Sequence, residues 1–192
     1  WFKVLVAVLP IGVIGLLVDD WVTEHFYTPT VVAAALIIYG VLFILLEKRN
    51  KQVKPRIRSF EQLSYRTAAC IGFLQLLAII PGTSRSGATI VGAVMLGCSR
   101  YVAAEFSFFM AIPVMLGASG LKMVKFLFEN GFGFTGTELA VLLTGTIVAF
   151  VVSLVVIKFL MNYIKKHDFK VFGYYRIILA ILVIIYSLLV GQ

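Results

Sequence analysis

Uncharged, apolar runs alternate with short charged stretches along the chain: Val4–Val18, Val31–Leu46, Thr67–Ser84, Ser86–Ser99, Phe106–Leu121, Leu139–Ile157 and Ile177–Val190. A helix needs about 20 residues to cross a bilayer at about 1.5 Å each. Helical flanks bring most runs to that length, as in Val102–Phe128 and Thr137–Tyr163. The Thr67–Ser99 stretch differs. Pro81-Gly82-Thr83-Ser84-Arg85-Ser86-Gly87 breaks it into two short arms, and Gly97 stops the second. Two arms of about half a crossing, joined by a polar turn, predict a re-entrant helical hairpin. Such irregular backbone is tolerated at membrane depth only inside protein or beside a wet cavity.

Local signals agree with helices throughout. Thr28 and Pro29 mark the start of the second span, Ser99 can cap a helix over 100–128, and Thr135 or Thr137 can cap the next. Pro113 predicts a kink. Gly117, Gly120 and Gly145 are candidates for close helix approach. Trp1, Trp21, Tyr27, Tyr174 and Tyr175 fall near span ends, where interfacial anchors sit. Cys70 and Cys98 read as small apolar packers, and His25 and His167 as loop residues.

Composition makes the membrane assignment firm. Of 192 residues, 61% are hydrophobic and 14% charged, against about 25% charged in soluble domains. That excludes a soluble enzyme and a disordered tail. The net charge of +8 belongs to topology and anionic headgroups rather than nucleic acid. With Lys3 inside and 67–99 re-entering, 14 Lys and Arg lie inside, Lys122 and Lys125 outside, and Arg85 in the membrane. The expected fold is therefore an all-α polytopic membrane protein of five transmembrane helices plus one re-entrant hairpin. Helices are expected at about 100–128, 137–164 and 174–190, the last opened by Arg176.

Arg85 carries the chemistry. A guanidinium keeps its proton and is costly at membrane depth, so it faces a cavity, a partner or a substrate path. Thr83, Ser84, Ser86 and Thr89 surround it, with Gly82 and Gly87 beside them. The first-turn N–H groups of a following helix point at the same spot. Forked arginine, hydroxyls and free N–H groups suit a phosphate or pyrophosphate. A bland alternative pairs Arg85 with Glu105, itself expected as a structural partner of Arg100 or Arg176. Gln75 faces either the cavity or a neighbouring helix.

Pro81-Gly82-Thr83-Ser84-Arg85-Ser86-Gly87-Ala88-Thr89 resembles the PGxSRSxxT signature of the bacterial undecaprenyl-pyrophosphate phosphatase family, the bacitracin-resistance type. Tyr65-Arg66, Gly72-Phe73-Leu74-Gln75, Ser99-Arg100-Tyr101, Ala104–Phe108 and Tyr175-Arg176 extend the likeness over the whole chain. The resemblance implies hydrolysis of the pyrophosphate of a C55 lipid carrier, in the bacterial cytoplasmic membrane, from a site facing outward. It implies two inverted five-helix repeats. Residues 1–47 would end the first, 48–64 form a basic cytoplasmic loop, and 65–192 the second, opened by the hairpin 65–98. On this pattern Arg85, Ser84, Ser86 and Thr89 are catalytic candidates and Gly82, Thr83, Gly87 and Gln75 substrate-binding ones.

The family's second motif, paired glutamates followed by Ser-Ser-Thr-Gly-His, is absent from this sequence and is expected upstream of Trp1. A divalent metal, Mg or Ca, is expected to find its carboxylates there too. The expected partners are a polyprenyl pyrophosphate and the membrane, with no nucleic acid and a homodimer left open. A transporter or flippase for a lipid phosphate is the alternative, since broken helices are common in transporters.

Overall fold

The computed structural model describes residues 1–50, 53–130 and 135–190. The described residues form seven helices and a short 3-10 turn: α1 (Phe2–Phe26), α2 (Pro29–Asn50), α3 (Tyr65–Gln75), the turn Leu76–Ile79, α4 (Arg85–Met95), α5 (Arg100–Asn130), α6 (Gly136–Lys166) and α7 (Lys170–Val190). Four are long and apolar enough to cross a membrane, α2, α5, α6 and α7, or five if the bent α1 counts as one span. The chain is a multi-pass, all-helical membrane protein.

The helix starts follow their capping chemistry. Thr28 Oγ1 accepts from Val31 N at 3.3 Å ahead of α2, and Ser99 Oγ from Val102 N at 3.3 Å ahead of α5. Thr135, rather than Thr137, opens α6, in a reciprocal box with Glu138. α5 continues through Pro113. α7 starts at Lys170, four residues before the expected 174, where Asp168 Oδ1 accepts from Lys170 N at 3.3 Å. Arg176 consequently lies about 9 Å along α7 instead of opening it.

The hairpin forms as two 11-residue helices packed together, α3 and α4. Their open ends lie on one side of the molecule, against the loop after α2. Gly97 takes the positive φ of +94°, and its carbonyl accepts from Arg56 N and Ile57 N, while Ile57 O accepts from Ser99 N. Lys3 Nζ reaches the same loop, donating to Phe60 O at 3.0 Å. α1 and α5 pack around the hairpin, and Ala7, Ile71, Ala93, Ala103 and Phe106 lie in the common core.

Close approach falls on other glycines than those expected. A Cβ on Gly72 would stand 2.2 Å from Ala7 O, and one on Gly173 would stand 2.7 Å from Gly40 O. The backbones of α1 and α3, and of α2 and α7, therefore touch, as small residues permit in membranes. Gly117, Gly120 and Gly145 have nothing within 4 Å. Cys70 is exposed rather than packed, whereas Cys98 is buried. His25 and His167 finish helices instead of lying free in loops, stacked on Trp21 at 4.9 Å and Tyr163 at 4.3 Å.

The end of the bundle where α2 stops is tied by charge. Glu47 is fully buried and holds Arg100 through two contacts, Arg100 Nε to Oε1 at 2.8 Å and Arg100 Nη2 to Oε2. Glu47 Oε1 also accepts from Phe169 N at 3.1 Å. One carboxylate thus joins α2, α5 and the α6–α7 link. Glu105 partners neither Arg100 nor Arg176; its nearest polar neighbour is Tyr101 Oη, at 3.4 Å.

Candidate anion site at the hairpin tip

The tip is shaped by backbone before any side chain acts. Gly82 adopts φ +84°, and a Cβ there would sit 2.6 Å from Val32 O, so only glycine lets the turn lie against the start of α2. Ser84 then caps α4, its Oγ accepting from Gly87 N at 3.2 Å and lying 3.0 Å from Ser86 Oγ. Ala88 N is used by Ser84 O. The first-turn N–H groups of Arg85 and Ser86 remain available, as helix geometry requires.

Two arginines flank this helix start, each opening onto its own cavity. Arg85 lines a space of about 360 Å³ with Gly12 and Gly15 of α1 and Pro113 and Gly117 of α5. Arg176 lines another of about 230 Å³ together with Ser84, Ser86 and Gly87. A Cβ on Gly87 would lie 3.0 Å from Arg176 Nη2, so the glycine makes room for the guanidinium. Arg85 Nη1 and Arg176 Nη1 are both buried without a hydrogen-bond partner. Neither arginine forms an ion pair; among the described residues those pairs are Arg100–Glu47 and Lys170–Asp168. Arg176 is held instead by the faces of Tyr39 and Phe43, its Cζ 6.0 and 5.7 Å from their ring centroids. Aromatic faces hold a cation without neutralising it.

The remaining sequence candidates separate by placement. Ser84, Ser86 and Gly87 are at the Arg176 cavity. Thr83 is buried beside the tip. Thr89 is fully buried behind the wall, its hydroxyl bonded to Arg85 O at 3.0 Å and to Ser107 Oγ at 2.6 Å, which puts it out of reach of a ligand. Gln75 is fully buried with neither amide atom partnered. Arg176 was missed as a site residue because it was counted as a surface cation. The signal was present: like Arg85, it is a single charge inside a long apolar run.

The donor set is cationic and hydroxylic, which suits an anion and does not fit a divalent cation. Among the described residues no three His, Cys, Asp or Glu side chains come together as metal ligands.

The sequence profile described as bacitracin resistance protein BacA matches residues 1–182. The chain belongs to the BacA family. It is 62% identical over 189 residues to undecaprenyl-diphosphatase 1 of Clostridioides difficile (strain 630), covering 98% of this chain and 67% of the relative. It is 60% identical to the undecaprenyl-diphosphatase of Acetivibrio thermocellus, covering 99% and 68%. With an undecaprenyl-diphosphatase of Enterococcus faecalis the identity is 57%, covering 96% and 66%. The chain thus spans about two thirds of the length of these BacA-family relatives.

Proposed function

We propose that this chain supplies the phosphate-holding part of an undecaprenyl-diphosphate phosphatase, a hydrolase that converts the diphosphate of the lipid carrier to the monophosphate and orthophosphate. The observation that carries this reading is a pair of half-buried arginines at one helix start, Arg85 and Arg176, whose Nη1 atoms are buried without a hydrogen-bond partner and which no carboxylate among the described residues neutralises. A buried charge without a partner is costly, and a phosphoryl anion is the ligand that removes the cost. In phosphoryl transfer, positioning and charge stabilisation do most of the work. Arg85 neutralises charge on the phosphoryl oxygens, while Ser86 and the free N–H groups orient them. Ser84 shapes the helix start as its cap.

No residue here is assigned as the nucleophile, because none of the site hydroxyls has a neighbouring base. We place the nucleophile and any ligands of a Mg or Ca ion in the third of the relatives' length that this chain does not span. In the same reading, α3 and α4 re-enter the membrane from the cytoplasmic side, residues 65–192 are one of two inverted repeats, and the site opens outward across the bacterial inner membrane. Turnover there recycles the carrier for cell-wall synthesis, in keeping with the bacitracin-resistance description of the family.

The test is phosphate release in lipid from undecaprenyl diphosphate, farnesyl diphosphate and a nucleoside diphosphate. The chain alone should bind pyrophosphate weakly and release negligible phosphate. Joined to the remaining third of a relative, it should release phosphate from the two prenyl diphosphates and little from the nucleotide. Equal turnover of nucleotide and prenyl substrates, or full turnover by the chain alone, would overturn the reading. Movement of the lipid with no phosphate release would favour a transporter.

A further inference from the structure

The two cavities at the helix start differ in what they invite. The Arg85 space is walled by Ile11, Ile79, Val114 and Leu121 as well as by Gly12, Gly15, Gly117 and Ala118, with no atom within 4 Å of a Cβ on Gly12 or Gly117. The small residues in those walls leave room for another helix. The polar side chains lining the Arg176 cavity are Arg176, Ser84, Ser86 and the neighbouring Tyr175. Its other walls are large and apolar, among them Ile90, Phe108, Leu160, Phe169 and Phe172. A site with cationic and hydroxylic groups and an aromatic body fits an amphiphile with an anionic head and a branched, unsaturated tail.

We propose that the Arg176 cavity is a prenyl-specificity pocket: Arg176 and Ser86 engage the phosphate esterified to the lipid, and Phe108, Leu160 and Phe172 enclose the first isoprene unit. This rests on the phosphatase reading and names where the substrate's tail begins. At about 30 Å³ per water-sized group, a cavity of about 230 Å³ takes about seven or eight such groups, enough for the inner edge of the phosphate and the first isoprene unit and no more. The rest of the tail must leave, and α6 provides the route. Every residue from Gly136 to Phe159 is exposed, although the first turns of α6 lie beside α5 around Thr137–Leu142, and farther along α6 Leu160 and Ile164 line the cavity. A tail passing Leu160 therefore reaches the bare apolar face of α6, where lipid can receive it. Discrimination between prenyl and nucleoside diphosphates follows from this shape, since a ribose hydroxyl placed among these rings would lose its hydrogen bonds to water.

The test uses the chain in lipid nanodiscs and a farnesyl diphosphate bearing a diazirine in its first isoprene unit. Label should appear on Phe108, Leu160 or Phe172 and be competed by unlabelled farnesyl diphosphate. Label on Ile11, Val114 or Leu121 of the Arg85 groove would overturn the proposal. In calorimetric titrations, Leu160→Trp should weaken farnesyl diphosphate binding at least tenfold and leave inorganic pyrophosphate within twofold. Unchanged farnesyl diphosphate binding would again overturn it, and retained pyrophosphate binding shows that the variant is folded. If wild type binds no prenyl diphosphate and shows no competed label, the phosphatase reading falls with it. If it binds and labels elsewhere, only the pocket assignment falls.

Discussion

Removing Arg100 tests whether the charge knot holds the arginine-bearing helix in place. The side chain of Glu47 is 0% exposed and that of Arg100 34% exposed. Arg100→Ala leaves a buried carboxylate whose remaining partner among the described residues is Phe169 N, 3.1 Å away. Breaking a fully buried pair this way costs about 3–5 kcal/mol. Because Arg100 is one-third exposed and one hydrogen bond survives, the lower figure of about 2–3 kcal/mol applies here. At about 2–4 °C per kcal/mol for a chain of this size, melting should fall by about 4–12 °C. Glu47→Gln should cost less, about 1–2 kcal/mol, since the abandoned guanidinium can turn to water. The double variant Glu47→Gln/Arg100→Gln buries no charge and should recover at least about 1 kcal/mol of the summed losses. Thermal unfolding in detergent, followed by the fluorescence of a thiol probe, measures all three. Losses that add to within about 0.5 kcal/mol would show that the pair is uncoupled and that α7 is held by packing alone.

Three further outcomes follow from the same geometry. Arg85→Lys in the hydrolytically competent protein should cost about 2–4 kcal/mol of transition-state stabilisation, or roughly 30- to 1,000-fold in rate, because lysine loses the fork; activity within threefold of wild type would make Arg85 structural. Gly173→Ala drives a methyl into Gly40 O, 2.7 Å away, and should destabilise by about 1–3 kcal/mol through overpacking, read as a lowered melting temperature; an unchanged one would mean that the α2–α7 contact can slide. Burial raises the Cys98 thiol to about 11, so the folded chain holds its proton where the unfolded chain has lost it. Stability should therefore decline from about pH 9 to about pH 11, at up to about 1.4 kcal/mol per pH unit. A Cys98→Ala variant should lose that slope, as pH-dependent melting would reveal, and an equally steep variant would refute the assignment.

Much of the architecture is legible in the chain because a bilayer restricts it so severely. Each apolar run must become a helix to satisfy its own backbone. The breaker-rich string at 81–87 cannot continue one, so a hairpin is the remaining solution. Arg85 stood out because no residue type is more conspicuous in an apolar run. Caps at Thr28, Ser99 and Thr135 depend on neighbours three residues away, and such short-range chemistry is visible in sequence.

Contacts between distant segments were decided only in three dimensions. Glu47 and Arg100 are 53 residues apart, and nothing in their separate surroundings names one as the partner of the other. The close approaches fell to Gly40, Gly72 and Gly173, because crossing points depend on how whole helices tilt. Thr89 belongs to the same hydroxyl-rich motif as Ser86, yet helix rotation turns it inward to Ser107. Arg176 shows the division most plainly. Its charge and apolar neighbours were readable in the sequence. Its place beside Gly87 depends on the start of α7 at Lys170 and on the glycine-to-glycine crossing of α2 and α7. The sequence by itself determined that a membrane helix bundle would carry a cation at a hairpin tip, and the structure that no carboxylate among the described residues neutralises it. Tertiary packing decided that there would be two such cations, and that a separate cavity would open at each.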